Sequence, residues 1–339
     1  MGTRLVKTAV TVIVAIALLV LAAPSFFGIA REAPFAQLVP FRLATGLAAV
    51  GITAVLVVIA ALVAPVRRLA LVLAALGVLF AVVLAGTQGV RGYDSAPPRA
   101  HRLADLRLAS WNVLHDGVPV EAIAALAQEN AVDGLALLEV SRTRAQDVVD
   151  VLGSDGVPMT LHYAGSGGDD GTALLLSSSL GGYSVDTSAV VTGVTPSLVA
   201  RPDTPERPVL AAVHTMAPLP SRLAEWRSDL LSVAALCSAE EDVVVLGDLN
   251  STVDHWAGLP GSAALGDCRD AAALAGGGAL GTWPTSLPTA LGAPIDHVLF
   301  SGRREVSTYQ VVEDRDDTGS DHRPLVVQLS VRGLVKDAS

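Results

Sequence analysis

Apolar positions along this chain fall into two regimes. Up to about residue 90 they form long unbroken runs, and beyond residue 103 they come in short bursts separated by polar turns. Three uncharged runs occupy 9–30, 43–64 and 69–87. Each approaches or exceeds the ~20 residues an α-helix needs to cross the hydrocarbon core of a bilayer. The pattern predicts three transmembrane helices forming an anchor over 1–90. The first run has a second reading as a signal peptide, because Arg4 and Lys7 precede it and the small residues Ala22 and Ala23 follow. No ionisable residue interrupts the second or third run, so neither an ion path nor a proton relay is indicated.

Past a short Pro97-Pro98 linker over 91–102, strand-like and helix-like patterns alternate. Apolar bursts at 106–112, 134–139, 159–163, 172–177, 209–215, 243–247, 297–301, 307–312 and 325–331 read as strands. Helical spacing marks 120–130, 142–152 and 221–237. In the last of these Leu223, Trp226, Leu230 and Ala234 make one stripe. This alternation predicts an α/β domain over 103–332, with a tail over 333–339.

Charge sharpens the division. Of 23 basic and 33 acidic residues, the first ninety positions hold six and one, which leaves 17 and 32 in the remainder, a net charge of −15 there. So acidic a domain gains nothing from the field of a polyanion, which disfavours nucleic acid as a partner. Arg4 and Lys7 flank the first run, and Arg67 and Arg68 separate the second from the third. Basic flanks stay cytoplasmic, so an odd number of crossings puts the α/β domain outside, on a cell membrane spanned several times. There Cys237 and Cys268 have a disulfide open to them, or they remain buried thiols.

Candidate chemistry gathers at the strand ends. Val-Val-Val-Leu-Gly-Asp-Leu-Asn, 243–250, is an apolar strand that stops at Gly247 and then presents Asp248 and Asn250. Residues two apart in extended chain share a face, so a carboxylate and an amide aim at one place. Asn112 closes one strand and Glu139 another, and His214 lies within a third. Asp296 opens a strand, and Asp321-His322 precede the last. Each has an ordinary explanation as a turn or solvated end, but the set suits hydrolysis of a phosphate ester. A hard cation takes carboxylate and amide oxygens, here Glu139, Asn112 and Asp321. A neutral histidine held by a carboxylate takes a proton from water, His322 with Asp296 being the pair for it. Asp248 has the alternative role of aligning or deprotonating that water. His214 and Asn250 would donate to phosphoryl oxygens.

Trp-Asn-Val at 111–113, Leu-Leu-Glu-Val at 137–140, Val-His-Thr-Met-Ala-Pro at 213–218, Gly-Asp-Leu-Asn at 247–250, Ile-Asp-His-Val at 295–298 and Ser-Asp-His-Arg-Pro at 320–324 occur in one order. In that order they resemble the endonuclease/exonuclease/phosphatase superfamily, over roughly 105–331. The resemblance implies a four-layer α/β sandwich, two packed β-sheets with helices outside, and Mg²⁺- or Mn²⁺-dependent cleavage of phosphate esters. It implies a metal site at Asn112 and Glu139, a phosphate-contacting His214, an orienting pair Asp248 and Asn250, and a terminal metal and base pair Asp321-His322 with Asp296 as partner. Gly171-Thr172-Ala173 stands where the family often has Gly-Asn-Ala. The family's phosphate-contacting tyrosine or arginine has no obvious counterpart beyond Tyr163.

The expected function is a membrane-anchored, extracytoplasmic, metal-dependent phosphohydrolase. Its substrate is a phosphodiester, phosphomonoester or pyrophosphate, and the membrane setting suits a lipid-linked one. An extracellular nuclease is the alternative enzyme, and a non-catalytic membrane scaffold the alternative of another class.

Overall fold

The computed structural model describes residues 2–99, 105–189 and 192–331. The end of the linker (100–102), positions 103 and 104, and the expected tail over 333–339 lie outside the described residues.

Among the described residues, three helices are long and apolar enough to cross a membrane. The first, α1 (Gly2–Ala22), begins before the uncharged run and stops short of its end. Pro24, which has no amide hydrogen and clashes with a preceding turn, follows it, and the chain runs through turns to residue 34. A single turn α2 (Phe35–Leu38) leads into α3 (Arg42–Leu62), and α4 (Arg67–Arg91) outlasts its apolar run to end against Gly92 at φ 78°. Glycine tolerates this left-handed exit as no other residue does. Lys7 Nζ donates to Pro65 O at 2.9 Å, so the start of α1 lies beside the α3–α4 turn. Phe80 and Leu84 pack against Leu18 and Leu21, while Ile13, Ile52 and Val82 face outward with nothing over them.

The linker is pinned: Asp94 N donates to Gly276 O and Ala96 N to Tyr309 O, both at 2.8 Å. Beyond it come β1 (Leu106–Asn112), α5 (Val120–Glu129), β2 (Gly134–Val140), α6 (Arg142–Ser154), β3 (Met159–Ala164) and β4 (Gly171–Ser177). They are followed by β5 (Tyr183–Asp186), β6 (Leu198–Pro202), β7 (Val209–His214), α7 (Leu223–Ala239) and β8 (Val243–Asp248). The chain closes with α8 (Val253–Trp256), β9 (Arg269–Asp270), α9 (Ala271–Ala275), β10 (Asp296–Phe300), β11 (Arg304–Val311) and β12 (Leu325–Val331). The pattern of apolar positions does not announce β5 and β6. The first is a short, largely exposed edge strand and the second ends on Pro202.

Two mixed six-stranded sheets result, in the orders β11-β12-β1-β2-β4-β3 and β5-β6-β7-β8-β10-β9. Strand side chains alternate between faces, and the burial follows that alternation. Leu108, Leu210, Ala212, Val244, Leu246, Val298 and Phe300 fill the space between the sheets. Trp111, Leu135 and Leu137 pack with α5 and α6 on one outer face, and Val243, Val245 and Leu299 pack with α7 on the other. The layers are therefore helix, sheet, sheet, helix.

Candidate active site

The alternation that builds the core also delivers the polar residues. Continuing Leu210–Ala212 by two gives His214, continuing Val244–Leu246 gives Asp248, and Asp296 precedes Val298 and Phe300 with the same spacing. Continuing Leu106–Leu108 gives Ser110 and then Asn112. These polar groups occupy the last inward positions of their strands, where the inter-sheet core opens. Register aligns them further. His214 pairs with Asp248 across β7 and β8, and Asp248 with Asp296 across β8 and β10. Gly247 makes the close approach, at φ 152° with its missing Cβ site 1.8 Å from Val213 O.

Glu139 breaks the alternation. On a regular β2 it would face α5 and α6 with Leu135 and Leu137. Instead the β2–β4 register shifts between Leu138 and Val140, and Glu139 sits at φ 53°. This bulge turns the carboxylate to the cleft, a recurrent use of bulges beside active sites. Asn112 Nδ2 donates to Glu139 Oε1 at 2.8 Å and lies 3.3 Å from Asp248 Oδ2.

Asp248 Oδ2 is the meeting point. It lies 3.7 Å from both His214 Nε2 and His322 Nε2, while Oδ1 accepts from Asn250 N at 2.8 Å. His322 Nδ1 is 2.9 Å from Asp296 Oδ2. Ser320 Oγ ties the carrying loop to β1 by donating to Asn112 O at 2.6 Å. Asp248, Asp296, His214 and His322 are all buried.

That burial sets the protonation. It pushes His214 down, with His322 adding to the effect, to about 3, so His214 is neutral. Burial lowers His322 as well, but Asp296 and Asp248 more than reverse this and raise it to about 10. The two neighbouring carboxylates thus favour the protonated imidazole. Burial and the Asp296 carboxylate opposite lift Asp248 to about 7, against the pull of His322.

Other expected residues have more specific positions than their types suggest. One amide hydrogen of Asn250 is committed to Thr215 O at 2.9 Å, which leaves the other for a ligand. Asn112 Oδ1 accepts from Leu114 N at 3.0 Å while its amide nitrogen holds Glu139, which leaves one lone pair of Oδ1 for a ligand. Trp283 Nε1 donates to Asp321 Oδ2 at 2.8 Å, and Asp321 Oδ1 has no hydrogen-bond donor, with His322 Nε2 4.0 Å away. Tyr163 is not in the cleft. Its hydroxyl donates to Val140 O, and it lines a neighbouring hollow.

Sequence reasoning missed two residues. His115 Nε2 lies 3.2 Å from Glu139 Oε2, returned there by a left-handed run at Leu114, His115 and Asp116. Trp283 faces His322 with ring centroids 6.4 Å apart. Nothing in the local sequence flags the tryptophan. The histidine was open to notice as the third residue beyond Asn112.

One ligating atom each from Asp248, Asp296 and His322 falls within 4.8 Å of the others. These three could hold a cation, although Asp296 is already engaged by His322 Nδ1 at 2.9 Å. Glu139 and the unpartnered Asp321 Oδ1 offer the hard oxygens that Mg²⁺ or Mn²⁺ prefers.

Residues 109–322 match the sequence profile of the Endonuclease/Exonuclease/phosphatase family. No curated protein matches the chain. Among solved structures, TDP2 of D. rerio humanized by 14 mutations is 18% identical, with a TM-score of 0.55 over 67% of this chain and 100% of its own. An endonuclease/exonuclease/phosphatase from Beutenbergia cavernae is 19% identical, with a TM-score of 0.52 over 67% of this chain and 72% of its own. The 3′ phosphatase NExo from Neisseria, bound to a product DNA hairpin, is 16% identical, with a TM-score of 0.51 over 66% and 98%. These likenesses concern the fold. The profile match covers most of the chain and the motifs fall within it, so the chain belongs to the endonuclease/exonuclease/phosphatase family, whose members hydrolyse phosphoester bonds.

Proposed function

We propose that this chain is a membrane-anchored, extracytoplasmic phosphohydrolase that uses Mg²⁺ or Mn²⁺ to cleave a phosphate ester or diphosphate. The observation that carries the reading is the convergence of Glu139, His214, Asp248 and the Asp296–His322 pair on one cleft from separate strands and a loop. Residues 1–90 are the anchor in this reading, 91–102 the link and 103–332 the catalytic domain.

Glu139 and Asp321 are the carboxylates that would hold the cation, with Asn112 positioning Glu139. The bound ion would neutralise phosphoryl charge and the departing oxygen. Water attacks phosphorus, a P–O bond forms, and the bond to the leaving oxygen breaks. Asp248 Oδ2 takes the water proton. His322 Nε2 gives its proton to the leaving oxygen, held in orientation by Asp296. The proton then returns from Asp248 to His322 across their 3.7 Å separation. Neutral His214 and the free amide hydrogen of Asn250 donate to the non-bridging oxygens.

Two observations support the outer location. Cys237 and Cys268 form a disulfide, a bond of oxidising compartments. Arg4, Lys7, Arg67 and Arg68 belong to the helix ends remote from Arg42 and Arg91, which contact the catalytic domain. A nuclease reading has less support, since none of the described residues lining the cleft is Lys or Arg and polynucleotide backbones are gripped mainly by those side chains. The test is hydrolysis of bis(para-nitrophenyl) phosphate by full-length protein in detergent, with Mg²⁺ and with a chelator. Turnover independent of metal, or none on any phosphate ester, would reject the hydrolase. Protease added to intact cells should cut the catalytic domain; protection lifted only by lysis would reverse the topology.

A further inference from the structure

The cleft above the catalytic cluster has a volume of about 600 Å³, the size of a pocket for a small organic molecule. One of its walls comes from the link between α1 and α3 rather than from the sandwich: Ala36, Gln37, Pro40 and Phe41 line it. The segment is locked in place. Gln37 Nε2 donates to Pro218 O, His255 Nε2 meets Ala36 O at 3.2 Å, and Arg31 Nη1 donates to His255 O and Ala257 O at 2.6 and 2.8 Å. Asp254 takes a bidentate pair from Arg42, the first residue of α3, and a further bond from Arg91, the last of α4. The ring of Phe41 lies 6.0 Å from that of Trp283, which in turn binds Asp321 and faces His322. The start of a membrane helix thus abuts the catalytic group.

The chemistry of the cleft is split. Its polar side carries Glu139, Asp248, Asp321 and three histidines, and its flank is apolar through Phe41, Pro40, Met216 and Leu219, with no Lys or Arg among its described lining residues. Leu219 and Val194 remain about half exposed at the lining. A polar phosphate ester or sugar phosphate would leave this flank wet and unused. We propose that the substrate is a phosphate ester or diphosphate of a bilayer lipid, with its phosphoryl group on the catalytic floor and the first part of its apolar chain against the Phe41–Leu219 wall. The proposal rests on the hydrolase reading above. Because the wall is itself the approach to α3, the occupied cleft lies where a lipid headgroup meets the membrane surface.

Two chromogenic diesters sharing a leaving group test it: para-nitrophenyl hexadecyl phosphate and para-nitrophenyl methyl phosphate, with full-length protein in nanodiscs and Mg²⁺. The expected kcat/KM favours the long chain by about tenfold or more, and Phe41→Ser with Leu219→Ser cuts that ratio several-fold. Turnover of both esters at similar rates would overturn the lipid assignment and leave the hydrolase standing. A wild-type ratio that survives the double substitution would assign the preference to partitioning and also overturn the proposal. No turnover of either ester overturns the lipid diester assignment, and only if hexadecyl phosphate and hexadecyl diphosphate are also left intact does the hydrolase reading itself fall. Should the variant fail to fold, a hexadecyl phosphonate carrying a diazirine in its chain replaces it. Labelling is expected at 36–41 and 216–219, and labelling confined to the outer faces of α1, α3 and α4 refutes the wall.

Discussion

Asp296 lies directly opposite Asp248 on the neighbouring antiparallel strand, both carboxylates on the inter-sheet face and both buried. Two such acids destabilise each other unless a cation or a proton intervenes. His322 supplies the positive charge between them, 2.9 Å from Asp296 and 3.7 Å from Asp248. The arrangement sets an imidazole between two buried acids, with Asn112 bridging Asp248 to a third acid, Glu139.

Asp248→Asn and His322→Ala should each lower kcat by about 10³-fold, the scale of a lost acid–base group, with the folded circular dichroism spectrum retained at assay temperature although His322→Ala melts lower. Asp296→Asn should cost less, since it orients His322 without touching substrate. Steady-state kinetics alongside circular dichroism checks this. Near-normal rates in the first two variants would remove those residues from the chemistry.

Chelation should abolish turnover, and Mg²⁺ or Mn²⁺ should restore it. Glu139→Gln should raise the metal concentration needed for half-maximal rate by about tenfold or more, the scale of a lost ligand. Titration of activity against free metal is the measurement. An unchanged midpoint would place the cation elsewhere.

Gly247→Ala should destabilise the domain by roughly 3 kcal/mol or more, because the new Cβ would meet Val213 O at 1.8 Å. Failure of the purified variant to melt well below the wild type would mean that β7 and β8 separate more easily than their register suggests.

Asp254 links α3 and α4 to the α/β sandwich through Arg42 and Arg91 and predicts an acid limit. Burial alone would raise its carboxyl, but Arg42 and Arg91 prevail and hold it at about 2, below the ordinary 3.8. A depressed carboxyl stabilises the fold above its unfolded value and loses that contribution as pH falls through the folded one. The window is therefore pH 4 down to 2, and the contribution is on the order of 2 kcal/mol. Wild type in detergent should lose melting temperature across that window more steeply than Asp254→Asn. Parallel curves would exclude the triad as a stabilising element.

Replacing both Cys237 and Cys268 by Ser should cost about 3 kcal/mol, since the bridge closes a loop over a separation of 31 residues. Denaturant melts with and without reductant would show it. Equal midpoints would mean that the α7 layer is held by packing of Trp226 and Leu230 alone.

Apolar periodicity alone determined the division into a membrane-like third and an α/β remainder, and most strands beyond it. Those features are local, written in run length and spacing. It also placed Asn112, Asp248 and Asp296 at strand ends and His214 within a strand, because alternation runs directly from core positions to these side chains. The edges of α1 were less legible, since an uncharged run marks what a bilayer tolerates and not where Pro24 stops a helix. Tertiary structure decided the remainder. The bulge that re-aims Glu139 depends on pairing with β4, and the return of His115 on a left-handed run has no periodic signature. The proton on His322 depends on two acids that come from β8 and β10, distant in sequence. The meeting of Phe41 with Trp283 joins segments more than two hundred residues apart, and such long-range contacts are fixed by how layers pack, which no local pattern encodes.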